Sequence, residues 1–323
     1  MGRPIVVSNS NNLRVEIYLI GYAQQGESII VFFRDLENNA VAYCIVVDSY
    51  AEGDCNKLAE ILNNNGINKS KINILCWTHP DADHSVGLET IITDYCTKDT
   101  QVLIPYGLER KDLIINLDDY SGLVDLFFNL ENQQNRHVRT ISAGEKQVCA
   151  IEDFDISAIP LVIPVSIAAL SPSNEYIAQK IHTEKGLHKN LLSIMLVLDI
   201  GGYRFLMTGD VENTMIERMR EEAMINPTWV KIPHHSSTSS TKMIEVLSQN
   251  VLFQMLSGTT VKTQSGLPNP GVVNEYKSLS EYVHCTGIPE KEGDPCFGVV
   301  KYVFDLFGKH DVHITCEGNA YCV

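Results

Sequence analysis

Residues 79–84 read His-Pro-Asp-Ala-Asp-His and follow directly on KINILCW (residues 71–77), an apolar run rich in β-forming residues. A run of this kind is a buried strand. The chain must therefore end a buried strand in two imidazoles and two carboxylates. Loops at strand ends are where open α/β folds place their sites. His79 and Asp81 are two apart, so an extended segment turns both to one side, where they can grip one metal ion. Asp83 and His84 come where a helix begins and can turn toward a second ion. Histidine and carboxylate are ligands for zinc, manganese or iron. A polar turn with an Asp helix cap accounts for one carboxylate, not for two together with two histidines.

Two later segments repeat the pattern. FLMTGD puts Asp210 at the end of an apolar strand, after Gly209, where a carboxylate bridges two metals or caps the following helix. KIPHHSSTSS places His234 and His235 after WVKI. Adjacent side chains face different ways, so at most one is expected to bind metal while its neighbour lines the cleft. His188, just before LLSIML, is a further candidate to complete one metal's shell. His137, His182, His284, His310 and His313 belong to no constellation.

The 323 residues carry 40 Asp plus Glu against 25 Lys plus Arg, a formal charge of −15. That excludes a histone-like protein or a polybasic membrane binder. It does not exclude phosphate chemistry if cations sit in the cleft, and two divalent ions would bring the total to about −11. No signal peptide or lipidation pattern is visible. The longest apolar stretch, ISAIPLVIPVSIAAL (residues 156–170), is broken by Pro160 and Pro164 and too short to span a bilayer. A cytoplasmic protein with one domain over residues 1–323 is expected. Nine scattered cysteines without a CxxC pair argue against a disulfide scaffold or zinc knuckle.

Along the chain, RVEIYLI, SIIVFF, AYCIVVD, KINILCW, QVLIP, LLSIMLVLDI, YRFLMTGD, WVKI, VLFQML and DVHITCEG read as strands. CNKLAEILNNNG, SVGLETIITDYC, VENTMIERMREEAM and TKMIEVLSQN read as helices, as do EYKSLSEYV and FGVVKYVFDLF. Residues 111–132 suggest a helical insertion, and NEYIAQKIHTEKGLHK an exposed loop or short helix. Strand runs in both halves with helices between them suggest two packed sheets covered by helices.

THPDADHSVGLE resembles the HxHxDH signature of the metallo-β-lactamase superfamily, in the form common in its ComEC-like branch. QQGESIIV is similar to that branch's GQGDSILV-type strand, and IVVDSY sits where its members carry a strand-end Asp. The run NLLSIMLVLDIGGYRFLMTGDVE resembles their NxxSxxLxL…GxxxLLTGDxE, KIPHHSSTSS their VPHHGSxxS, and CTG their late Thr-containing turn. The resemblance implies an αββα sandwich, an α/β fold of two mixed sheets flanked by helices, with a metal site at one sheet edge. Carried over, His79 and Asp81 bind the first of two divalent ions, zinc or manganese. Asp83 and His84 bind the second, Asp210 bridges, and His234 completes the second shell. Asn190 and Ser193 match the NxxS pair near the cleft, and with Ser236 are the expected substrate contacts. Three departures stand out. Asp81 replaces the usual second histidine, Ser236 replaces the glycine of HHGS, and Ser171–Ser173 stands where some relatives carry His-Pro. The first metal therefore lacks an assigned third ligand.

Two ions about 3.5–4 Å apart would share a hydroxide that attacks phosphorus or a carbonyl. Asp83 or Asp210 would orient it, and His235 would protonate the leaving group. The resemblance favours a phosphodiesterase, a nuclease acting on DNA or other nucleic acid. The alternatives are hydrolysis of a small ester, lactam, thioester or cyclic nucleotide, or a non-catalytic scaffold subunit. A protein partner supplying basic charge is compatible with the acidic surface, and no membrane partner is expected.

Overall fold

In the strand over residues 13–22, Leu13, Val15, Ile17 and Leu19 turn one way, and Tyr18, Ile20 and Tyr22 the other, all buried. Period-two alternation that is apolar on both sides demands a cover on both faces. The computed structural model describes residues 5–7, 13–67, 72–108, 122–123, 125–126, 139–156, 161–183, 188–250, 255–287, 296–306 and 312–323. Within them the strands, numbered along the chain, form two mixed sheets.

The first sheet contains β2 (Leu13–Tyr22), β3 (Glu27–Asp35), β4 (Ala40–Val47), β5 (Ile74–Cys76), β6 (Gln101–Pro105), β7 (Arg139–Ala143), β15 (Phe297–Asp305) and β16 (Val312–Gly318). Its order is β16-β15-β2-β3-β4-β5-β6-β7, antiparallel up to β4 and parallel from there on. The second contains β1 (Ile5–Val7), β8 (Gln147–Ile156), β9 (Leu161–Ser171), β10 (Met195–Ile200), β11 (Tyr203–Met207), β12 (Trp229–Lys231), β13 (Met255–Thr259), β14 (Ser280–Cys285) and β17 (Tyr321–Cys322), in the order β1-β8-β9-β10-β11-β12-β13-β14-β17. Its stretch from β11 to β14 is parallel.

The inner faces meet in one apolar layer. Phe205 of β11 packs edge-on against Phe304 of β15 at 4.9 Å between centroids, and Trp229 of β12 against Tyr302 at 5.6 Å. Each such pair adds about 0.5–1.5 kcal/mol beyond its buried area. Helices cover the outer faces. On the first sheet, α1 (Lys57–Asn64) buries Leu58, Ile61 and Leu62, and α2 (Leu88–Tyr95) buries Leu88, Ile91 and Ile92. Asn56 caps α1 by accepting from Ala59 N at 2.9 Å. The stretch NEYIAQKIHTEKGLHK contains α3 (Asn174–Thr183). On the second sheet, α4 (Asn213–Ile216), α5 (Lys242–Leu247) and α6 (Pro270–Leu279) bury Met215, Met243, Leu247, Val272 and Tyr276. The architecture is the αββα sandwich of two mixed sheets flanked by helices.

Three elements differ from the sequence expectation. FGVVKYVFD is strand β15, not a helix, because its apolar residues repeat at two: Val300, Tyr302 and Phe304 enter the core while Lys301, Val303 and Asp305 are half-buried on the other side. EYKSLSEYV divides between the end of α6 and β14. VENTMIERMREEAM supports only α4 and a single 3-10 turn, Glu221–Ala223. Its apolar residues Val211, Met215, Ile216, Met219 and Met224 are buried along the whole segment, so packing on the core holds it without a continuous helix. The helical insertion expected over residues 111–132 lies almost wholly outside the described residues. All nine cysteines are free thiols. No helix among the described residues is long and apolar enough to cross a membrane.

Candidate metal centre

Both parallel stretches end on the same edge of the sandwich, and the chemistry collects there. Asp48 follows β4, Thr78 and His79 follow β5, and the turn Ala82–His84 brings in Asp83 and His84. From the other sheet, Asp210 follows β11, His234 and His235 follow β12, and Thr260 and Lys262 follow β13. Glu27 opens β3, which runs antiparallel and so starts at this edge. Gly209 makes the Asp210 turn with φ +52, where an added Cβ would lie 2.5 Å from Ser193 Oγ and 3.1 Å from Ile194 O. His234, His235 and Ser236 have successive φ values of 49, 50 and 65. Left-handed backbone costs of order 1–3 kcal/mol at each non-glycine residue. It turns His235 inward, and it explains why the resembling motif carries glycine where this chain has Ser236.

Three imidazoles are locked through Nδ1. Thr78 donates its one hydroxyl proton to Asp48 Oδ2 at 2.6 Å, so His79 Nδ1, 3.0 Å from the same hydroxyl, must be the donor there. His84 Nδ1 donates to Asp48 Oδ2 at 2.7 Å. Thr260 donates to Glu27 Oε2 at 2.7 Å and accepts from His235 Nδ1 at 2.7 Å. Each ring therefore points Nε2 inward, and all three Nε2 atoms are buried without a hydrogen-bond partner. Asp83 Oδ2 and Asp210 Oδ2 are buried in the same condition. These atoms converge: Asp210 lies 3.4 Å from His84 Nε2, 3.4 Å from His235 Nε2 and 3.9 Å from His79 Nε2, and Asp83 Oδ2 lies 3.0 Å from His235 Nε2. Buried polar atoms are ordinarily satisfied. Imidazoles held by a second partner at the far nitrogen are the usual arrangement of metal ligands. The donor set fits a divalent cation; Glu27, His84, Asp210 and His235 offer ligand atoms all within 4.8 Å of one another.

The electrostatics agree. Burial pushes Asp83 and Asp210 up, but His84 and His235 beside Asp83, and His235, His84 and Lys231 beside Asp210, bring both below the usual carboxylate range. Burial pushes His79 down, the charge of His84 adds to it, and His79 falls to about 3. Burial also works against charge on His84 and His235, yet Asp210, Asp48 and Asp83 hold His84 well above its ordinary 6.5, and Asp210 and Asp83 raise His235. For a raised histidine the stabilising contribution is complete below 6.5 and fades as pH climbs through the higher folded value. Cation affinity runs the opposite way, because ligating nitrogens must be unprotonated. Zinc binding near neutral pH is expected to release protons, seen as a calorimetric heat that varies with the ionisation enthalpy of the buffer. A heat independent of the buffer would contradict this arrangement.

Of the residues expected from sequence, His79, Asp83, His84 and Asp210 lie together, and the others are placed around them. Both later histidines approach Asp210, His235 Nε2 at 3.4 Å and His234 Nε2 at 3.8 Å, and His235 is the more deeply buried. His234 stays at the rim, 16% exposed, its Nδ1 2.9 Å from Ser239 Oγ and 3.3 Å from Glu212 Oε1, and its Nε2 3.3 Å from Asn190 Nδ2. His188 is exposed at the start of the 3-10 turn Lys189–Leu192, where its charge acts on Glu212. Ser193 is fully buried and accepts from Asp210 N at 2.9 Å, fixing the Asp210 turn. Ser236 is also fully buried and donates to Thr259 Oγ1 at 2.8 Å. Asn190 does reach the rim, donating to Glu212 Oε1 at 3.1 Å. Asp81 bonds to two lysines rather than turning to the cluster.

Glu27, Asp48, Lys231, Thr260 and Lys262 were not foreseen as site residues. Asp48 and Glu27 lay within quoted motifs, and an acidic residue at the mouth of an apolar strand was the available signal. Lys231 is fully buried, its Nζ 2.8 Å from Glu27 Oε2, 2.9 Å from Gly209 O and 3.4 Å from Asp210 Oδ1, and those carboxylates keep it charged against its burial.

No protein-family profile matches the chain, and no curated protein matches it. Among solved structures, the Zn(2+)-bound PqqB from Methylobacterium extorquens is similar, with 12% identity, coverage of 82% of this chain and 96% of that chain, and a TM-score of 0.40.

Proposed function

We propose that this chain is a metal-dependent hydrolase of the metallo-β-lactamase type, in its ComEC-like form, acting on phosphodiesters and most naturally on nucleic acid. The observation that carries this is the convergence of three Nδ1-locked imidazoles on Asp83 and Asp210 with their inward atoms unpaired. Asp83, His84, Asp210 and His235 would hold a divalent ion, with His79 beside them. When bound, such an ion supplies a Lewis acid and lowers the pKa of water to about 7.

The chain's own residues supply the rest. His234 stands at the rim with Nδ1 against Ser239 and Glu212 and Nε2 3.8 Å from Asp210, oriented as a further donor toward the ion. Asn190 holds the other ring nitrogen of His234 in place. Lys189 and Lys262 place two ammonium groups at the rim beside Asp81, which supports an anionic substrate over a neutral one. The order of the sequence motifs supports the same choice.

Protein stripped with chelator and reloaded with manganese or zinc tests this with a chromogenic phosphodiester, single-stranded DNA and a neutral aryl ester. Metal-dependent hydrolysis of the phosphodiester and the DNA is expected. Cleavage of the neutral ester alone would move the assignment to small-ester hydrolysis. Stoichiometric metal without cleavage of any of the three would refute the enzyme assignment.

A further inference from the structure

Asp81 occupies a position from which the sequence motif expects a metal ligand, yet it is bonded elsewhere. Its Oδ1 accepts from Ala82 N at 2.8 Å and from Lys189 Nζ at 3.1 Å, and its Oδ2 from Lys262 Nζ at 3.4 Å. The Lys262 ammonium also donates to Asp83 at 2.9 Å. This lysine is no loose surface chain. Its backbone exchanges hydrogen bonds with Leu267 in both directions at 3.1 Å, and the next residue, Thr263, donates from N to Gln24 O at 2.8 Å. Its side chain is only 16% exposed.

The donors for a second ion are correspondingly short. Ser171–Ser173 supplies no imidazole, and His188 is exposed. The cluster with ligand geometry among the described residues joins Glu27, His84, Asp210 and His235. Charge balance points the same way. Glu27, Asp48, Asp81, Asp83 and Asp210 are five carboxylates; Lys189, Lys231 and Lys262 are three ammonium groups bonded to them or beside them. With the histidines neutral, as ligands must be, the deficit is two charges, which one divalent ion closes and two would overshoot.

We infer that Lys262 takes the place of a second cation: clamped between Asp81 and Asp83, its ammonium leaves the chain with one divalent ion per molecule. This rests on the metal centre proposed above. Asp81 is then a positioning residue that holds Lys262. An ammonium carries three donors. Among the described residues those of Lys262 go to Asp81 and Asp83, leaving one N–H for an oxygen of an anionic substrate. A fixed charge then stands where a second metal would otherwise grip the same oxygen.

Metal counting tests this without recourse to activity. The full chain is saturated with manganese or zinc, desalted and measured by inductively coupled plasma mass spectrometry, with a chelator-competition titration for a second equivalent. One ion per chain is expected in the parent protein. Lys262→Met, checked by circular dichroism for retained fold, is expected to take up a second ion or bind it at least about tenfold more tightly. Lys262→Arg should stay at one, and Asp81→Asn should keep its single ion. Two ions in the parent protein would overturn the inference, as would a Lys262→Met variant no better at binding a second ion, or an Asp81→Asn variant that loses the first. No bound metal in the parent protein would overturn instead the metal centre on which the inference stands.

Discussion

Asp83→Ala is expected to lose its divalent ion and about three or more orders of magnitude in hydrolytic rate while remaining folded. Asp83 is 1% exposed, its Oδ2 3.0 Å from His235 Nε2, and it lies between the imidazoles and Lys262. A bound ion contributes several kcal/mol to the transition state, and each 1.36 kcal/mol is about a factor of ten in rate. The fold should survive, because Asp83 sits on a three-residue turn outside both sheets and Lys262 keeps Asp81 as a partner. Metal content, circular dichroism and kcat/KM on a chromogenic phosphodiester check all three points. Turnover near the parent level in a metal-free variant would refute the site.

The largest effect on stability is expected at Lys231. Its ammonium is wholly buried between Glu27, Asp210 and the Gly209 carbonyl. Lys231→Met leaves two buried carboxylates without their shared cation. Breaking one side of a buried ion pair typically costs about 3–5 kcal/mol. Urea unfolding in the presence of chelator should show this as a lower midpoint. Saturating manganese should recover part of the loss, because an ion that binds only the folded chain adds stability. Adding Glu27→Gln to Lys231→Met should also recover part, since the two changes act on one pair. A single variant within about 1 kcal/mol of the parent would show that the pair does not hold the two sheets' edges together.

Much of the fold and part of the site were legible in the sequence. The β-branched runs over residues 13–22, 27–35 and 40–47 are strands because their apolar residues repeat at two and leave no helical stripe. FGVVKYVFD misled because its aromatic and aliphatic content also suits a buried helix, and only pairing with β2 on one side and β16 on the other decides it. His79, Asp83, His84 and Asp210 could be found because polar ligand types crowd the ends of apolar runs. Glu27 and Thr260 could not be paired that way: they are 233 residues apart and meet only because the two sheets pack face to face. Nor could the order of His234 and His235 be found, since adjacent residues in an ordinary backbone face apart in either sense. The left-handed φ values at both positions are what place His235 inside.

The sequence by itself determined the building blocks. Its apolar periodicity specifies strands and helices locally, and the placing of His and Asp after buried runs specifies where a cation-binding edge must form. Tertiary structure alone decided the wiring of that edge: which imidazole nitrogen is locked, which histidine points inward, and which lysine faces Asp81. Each of those is settled by distances of 2.6–3.4 Å between residues far apart in the chain. Hydrogen bonds form only at such range, so their partners exist only once two sheets have closed against each other.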